Sequence, residues 1–314
     1  MLPQVYLSHY DKGSFTMRKL QTFQPNGFGL VTGAAILWGT IGVATQGIYN
    51  TDSTTSLFIN LARMLIATPL LLLAYRRVVG HTMFHIQRRD FLIMLLSGTL
   101  LAISHASYFA AIRYSGVTIP TLLTICIAPI VVTFLSVLLG FETLTTKIVV
   151  ALLCALIGSV MLVGFQSPEG TKDNLVWGAI LSLVAAVTYG SVIVCGRFLA
   201  SDYHSLQVTA ITFAASTLVL LPINLVSGIV VVHTVQGWLL VLYLGLVPTA
   251  LAYWLFQVGL RSISATTASI VSMLDPLVAA LLAWVLFGET LATIGIFGAA
   301  LLIMSIYLLS TSKR

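Results

Sequence analysis

The sequence predicts an all-α polytopic membrane protein: ten transmembrane helices forming two inverted five-helix repeats. Three observations carry this prediction. First, the chain is 58% hydrophobic and 8% charged, with a mean hydropathy of +1.03. A soluble domain carries roughly 25% charged residues, so a water-facing surface cannot be built from this composition. Second, ten apolar runs each approach the roughly 20 residues needed to cross about 30 Å of hydrocarbon. Third, Pro129-Ile130…Gly140-Phe141-Glu142-Thr143-Leu144 returns as Pro276-Leu277…Phe287-Gly288-Glu289-Thr290-Leu291. Self-similarity at a long period marks a duplication.

Each run is bounded by charge, Gly, Pro or a polar cluster. The first, 28–48, lies between Asn26-Gly27 and Asn50, and the second, 56–75, ends at Arg76-Arg77. Arg88-Arg89 and Arg113 frame 91–112, and Gly116 and Gly140 frame 118–139. The fifth, 147–165, opens at Lys147, and the sixth, 175–196, closes on Arg197. The seventh, 206–231, precedes His233, the eighth, 237–259, stops at Arg261, and the ninth, 265–287, at Gly288-Glu289. The tenth is 293–310, before Lys313-Arg314. In lipid only helices or closed barrels satisfy every backbone group, and these runs are too long and unalternating for barrel strands.

The net charge of +6 and pI near 9.3 do not point to nucleic acid, because the basic residues sit at span ends. Lys12, Arg18, Lys19, Arg76, Arg77, Arg88, Arg89, Lys147, Arg197, Arg261, Lys313 and Arg314 fall on one side, Arg113 and Lys172 on the other. Lys and Arg mark the cytoplasmic loops, so both termini are expected in the cytoplasm. The organisation that follows is a cytoplasmic tail 1–27, a first repeat 28–165 and a second repeat 174–310. An odd number of spans per repeat inverts the second copy, placing Glu142 inside and Glu289 outside. The tail lacks an apolar signal-peptide region, and Met17 is an alternative start. Cys126, Cys154 and Cys195 are odd in number and have no ligand spacing, which argues against disulfides and zinc.

Inverted repeats are the architecture of many secondary transporters, with the site near the midplane between the halves. Further echoes agree: Gly27…Trp38-Gly39 with Gly178…Tyr189-Gly190, and Ala111-Ile112-Arg113 with Gly259-Leu260-Arg261. Trp38-Gly39, Arg63, the Ala-Ile-Arg-Tyr-Ser stretch 111–115 and Asp275-Pro276…Gly288-Glu289-Thr290-Leu291 resemble the EamA family of the drug/metabolite transporter superfamily. The resemblance spans about 28–310. It implies ten helices around a central cavity and export of amino acids or related metabolites, without fixing a substrate. The residue before the ninth-span Pro, often Glu in that family, is Asp275 here, and its first-half equivalent is Ala128.

Ionisable groups deep in a span cost roughly 2.5–3.5 kcal/mol on insertion scales, so each invites a role. Asp275, near the midplane, reads as a proton-coupling group, as a counter-charge for a substrate amine, or as a neutral acid bonded into helix packing. Arg63 can snorkel to the interface, hold a substrate carboxylate, or pair structurally with Asp275 or a helix C-terminus. His105 and Tyr108 share one helix face. Imidazole suits proton exchange, while a neutral ring bonded to a backbone carbonyl is the plainer alternative. Trp38, Tyr189 and Tyr253 are candidate cavity walls or interfacial anchors. Pro129 and Pro276 remove backbone hydrogen bonds in mid-span and are candidate kinks or hinges. Gly33, Gly158, Gly178, Gly295 and Gly298 read as close helix packing, and Glu142 and Glu289 as loop residues bonded to nearby backbone.

The expected function is therefore a carrier in the cytoplasmic membrane, working by alternating access on small metabolites, with proton coupling open. Its partners are a small-molecule substrate and the lipid bilayer. No His-Glu-x-x-His, Gly-x-Ser-x-Gly or phosphate-loop motif occurs, so neither an intramembrane enzyme nor a cofactor is expected.

Overall fold

The computed structural model describes residues 26–79, 86–163, 175–232, 234–288 and 292–311. Ten helices are long and apolar enough to cross a membrane. They are α1 Gly27–Tyr49, α2 Ser56–Val79, α3 Arg88–Ser115, α4 Thr118–Leu138 and α5 Thr146–Val163. The second set is α6 Leu175–Leu199, α7 Ser205–Ser227, α8 Val235–Gly259, α9 in two segments, Ala265–Ser272 and Asp275–Phe287, and α10 Thr293–Ser310. The N-terminal tail with its alternative start lies outside the described residues, as do Lys172, Glu289 and the C-terminal Lys313-Arg314.

The hydropathy boundaries locate the helices and miss their ends. α2 continues through Arg76-Arg77 and α3 begins at Arg88, because basic residues at a helix end do not stop backbone hydrogen bonding. α7 stops at Ser227, short of the predicted 231, because Gly228 adopts φ +85°. A left-handed glycine ends a helix whatever apolar residues follow it, here Ile229–Val232.

The outer surface is apolar: Leu218, Val176 and Val226 are 71%, 72% and 89% exposed. In water such a surface would be strongly unfavourable; in lipid it is the natural exterior. The protein is thus a multi-pass membrane protein, packed on the inside by small residues.

Those close contacts come in pairs related by exchanging α1–α5 with α6–α10. α3 packs on α6 and α8 on α1; α4 packs on α6 and α9 on α1; α3 packs on α7 and α8 on α2. α2 with α7, and α5 with α10, map onto themselves. Glycines sit at the joints. Gly98 of α3 lies against Thr212 and Ala215 of α7, and Gly245 of α8 against Ile66 and the Arg63 carbonyl of α2. Gly27 meets Ser262 and Gly259, and Gly178 meets Ser115. Gly158 and Gly298 face each other across α5 and α10. Gly33, expected to pack closely, does not: a Cβ there would touch nothing within 4 Å.

The connections are tied across the halves too. At one end the Thr234 amide and hydroxyl donate to the Asp52 carboxylate at 3.0 and 2.5 Å. At the other, Tyr203 donates to Asp90 at 2.6 Å. This second end also carries Arg76, Arg77, Arg88, Arg89, Lys147, Arg197 and Arg261, and is called the basic end below.

Candidate functional site

Asp275 stands where α9 is interrupted. Pro276 has no N–H to give the Ser272 carbonyl, the helix ends there, and a second segment starts with Asp275 and Pro276 in its first turn. A carboxyl at a helix N-terminus faces the positive end of the segment's dipole. Gly39 of α1 lets that helix come close: a Cβ there would lie 2.9 Å from the Asp275 carbonyl oxygen. The other half repeats the contact, with Gly190 of α6 set 3.0 Å from the Ala128 carbonyl by the same measure. α4 differs in running through Pro129 as one helix. The two positions equated from sequence, Ala128 and Asp275, thus occupy equivalent joints, and one of them carries an acid.

Around Asp275 the structure gathers every sequence-predicted ligand or coupling residue. Arg63 from α2 is 7% exposed and lies within electrostatic reach of Tyr253, Tyr189 and Asp275. This corrects the snorkelling alternative, since the guanidinium points among four other helices and away from the interface. No direct ion pair joins Arg63 to Asp275, so a structural salt bridge is not its role either. His105 feels the Arg63 charge, and Tyr108 that of Asp275. Tyr108 also shares a 2.8 Å hydrogen bond with Thr121 of α4. The plainer reading of His105 finds no support at Nδ1, which has no hydrogen-bond partner among the described residues.

The aromatic candidates form one wall. The Tyr189 and Tyr253 hydroxyls lie close to one another. The Tyr253 ring meets Trp38 edge-on at 5.0 Å and Phe213 at 5.0 Å, and Trp38 meets Phe256 at 5.2 Å. Such contacts are each worth about 0.5–1.5 kcal/mol beyond their burial. His105, Tyr108, Tyr189, Tyr253 and Asp275 all remain half-buried although their helices enclose them. Partial exposure deep inside a bundle means that they line internal space.

Sequence reasoning missed several members. Asn60 accepts a hydrogen bond from Arg63 Nε at 3.1 Å, and its position three residues before a buried Arg was the available signal. Pro248 was overlooked beside Pro129 and Pro276. It lies in Gly245–Leu251, a π-helical stretch that interrupts α8 before Tyr253. Such π segments recur at functional sites. Thr249 and Trp254, around that stretch, carry buried polar atoms without partners among the described residues, as do Trp38 and Asn60.

At the basic end the two halves are cross-linked. Glu142, between α4 and α5, reaches the start of α9 and accepts from the Ala265 amide at 2.6 Å and the Thr266 amide at 3.3 Å. Ser264 accepts from the Thr267 amide at 3.1 Å. Glu142 does bond backbone, as expected, though of a distant helix. Nearby, Gln257 donates to the Gly196 carbonyl at 2.8 Å and Arg197 to the Leu260 carbonyl at 2.9 Å. Glu142→Ala leaves two amides of the first turn without acceptors and is expected to destabilise the protein by about 1 kcal/mol. A lower melting temperature in detergent, with Glu142→Gln retaining most of the stability, checks this.

The comparisons with known proteins agree with this fold. A family model described as the EamA-like transporter family matches residues 26–164 and again 176–311. An uncharacterised transporter of Archaeoglobus fulgidus is 31% identical over 201 residues, 64% of this chain and 70% of that protein. An uncharacterised inner membrane transporter of Salmonella typhimurium, YicL, is 29% identical over 291 residues, 90% and 94% of the two chains. The riboflavin transporter ImpX of Fusobacterium nucleatum is 27% identical over 293 residues, 90% and 96%. A solved crystal structure superimposes with a TM-score of 0.79 at 19% identity, covering 90% of this chain and 96% of that one, a likeness of fold.

Proposed function

This chain belongs to the EamA-like transporter family, and from that premise we propose that it exports amino acids or similar small amphipathic metabolites across the cytoplasmic (inner) membrane. The halves 28–165 and 174–310 act as inverted repeats that expose the cluster around Asp275 to each side in turn, with the basic end in the cytoplasm. The single observation that carries this reading is the convergence of Trp38, Arg63, His105, Tyr108, Tyr189, Tyr253 and Asp275, from both halves, on the break in α9. Ionisable side chains at membrane depth mark substrate and ion pathways. Asp275 and His105 are the groups that can exchange a proton, and the aromatic residues are those that can hold cargo. The break before Pro276 supplies a hinge in α9, and Pro129 its counterpart in α4. In this scheme opening towards the cytoplasm requires Glu142 to release the start of α9.

A second reading keeps the fold and changes cargo or direction: uptake of another small metabolite. The aromatic wall and the relative named a riboflavin transporter favour it. Counterflow into proteoliposomes, with amino acids in one arm and riboflavin in the other, separates the two. Amino-acid flux that responds to an imposed pH gradient supports proton-coupled export; flux in neither arm refutes both cargo assignments.

A further inference from the structure

We infer that Asn60 is a positioning residue that aims the Arg63 guanidinium at a planar oxyanion, a carboxylate, on the transported molecule. This rests on the carrier reading above and adds one end of the cargo to it. A guanidinium has five N–H donors and no acceptor. One of Arg63's, on Nε, goes to Asn60 Oδ1 at 3.1 Å; none of the other four finds an acceptor among the described residues. Asn60 is 1% exposed and Arg63 7%, so the little contact Arg63 keeps is with the internal space that its half-buried neighbours line. A buried charge left so short of acceptors is strongly unfavourable, unless a group not belonging to the chain fills the fork.

Asn60 makes the case sharper. It precedes Arg63 by three residues on α2, and holding Nε from there leaves the two terminal nitrogens as a forward-facing pair. That pair matches the spacing of two carboxylate oxygens. Asn60 Nδ2 has no partner among the described residues. A buried, half-satisfied amide lowers stability relative to an apolar residue of similar shape, so packing does not account for an Asn at 60. Its one hydrogen bond, to Arg63, does. The guanidinium lies among Tyr253, Tyr189, Asp275 and His105, so an anion docked on it sits inside the cluster. Asp275, not directly paired with Arg63, remains free to face a different part of the same molecule.

The test uses the full-length protein in detergent with shape-matched pairs: the L-amino acids against their primary amides, and benzoate against benzamide. Acids are expected to raise the melting temperature and amides not. Asn60→Leu is expected to weaken acid binding roughly tenfold, leave amides unaffected, and not lower the melting temperature of the unliganded protein. Arg63→Lys, which keeps the charge and loses the fork, is expected to weaken acids at least as much. Amides binding as well as acids overturn the clamp while the carrier reading stands. Asn60→Leu lowering the melting temperature with acid affinity unchanged makes Asn60 structural and overturns its role. No response to any acid, benzoate included, overturns the clamp; amino-acid counterflow then decides the carrier reading separately.

Discussion

Asp275→Asn is expected to reduce pH-gradient-driven flux in proteoliposomes by at least about tenfold while leaving the protein folded. Asn has the size of Asp, and the joint with Gly39 is made by the backbone carbonyl of residue 275, so it survives. What it cannot do is take up and release a proton. Among the described residues, Asp275 is also the one acidic side chain within the cluster formed by Arg63, His105, Tyr108, Tyr189 and Tyr253. Its replacement leaves the Arg63 charge without its opposite. Exchange of labelled for unlabelled cargo without a gradient is expected to persist, because exchange returns the site to its starting protonation state. Flux of Asp275→Asn equal to that of the parent, with no response to the gradient in either, removes proton coupling from the proposal. A fall in melting temperature of many degrees would instead assign Asp275 to packing.

The largest effect on stability is expected from Gly98→Val. The side chain would be built into the α7 backbone at Thr212, with the Ala215 methyl only 2.6 Å from its Cβ. Neither neighbour is a flexible end that can move aside, so the two helices must separate. Overpacking in a well-filled interior costs about 1–3 kcal/mol, and a clash with backbone lies at or above the top of that range. Loss of the monodisperse peak on size exclusion, or a melting temperature too low to measure, is the expected outcome. Gly33→Ala supplies the contrast: it meets nothing within 4 Å and removes a helix-weakening glycine, worth about 0.5–1 kcal/mol. A Gly98→Val protein as stable as the parent would contradict the close α3–α7 packing.

These residues also mark what the sequence made legible. Ten helices were readable because lipid imposes one rule, length of apolar run, on every span. The pairing of Gly39 with Asp275 and of Gly190 with Ala128 was foreshadowed by the Trp38-Gly39 and Tyr189-Gly190 echo. Hydropathy was blind where backbone conformation decides: the positive φ of Gly228 ended α7 inside an apolar run, and Gly245–Leu251 changed helix type without a change of composition. Arg63 was visible as a charge out of place, yet its direction was not, since three placements satisfy one sequence. Asn60 went unremarked because its spacing of three residues before Arg63 is a weak signal until the bond between the two is located in space.

The π-helical stretch in α8 has one more consequence. Each such turn takes in an extra residue for the same advance along the axis. At 3.6 residues per α-helical turn, one extra residue rotates everything beyond it by roughly 100°. Tyr253, two residues past Leu251, meets Trp38, Phe213 and Tyr189 with that rotation in place. Wound as an uninterrupted α-helix, the same chain would turn Tyr253 away and offer a neighbouring residue to the cluster. The aromatic wall is therefore specified as much by a count of residues as by their identity: one residue fewer between Gly245 and Leu251 would let the stretch close as ordinary α-helix with Tyr253 still on the wall, whereas one residue more beside the π turn would dial the wrong side chain into place without touching any group of the wall itself.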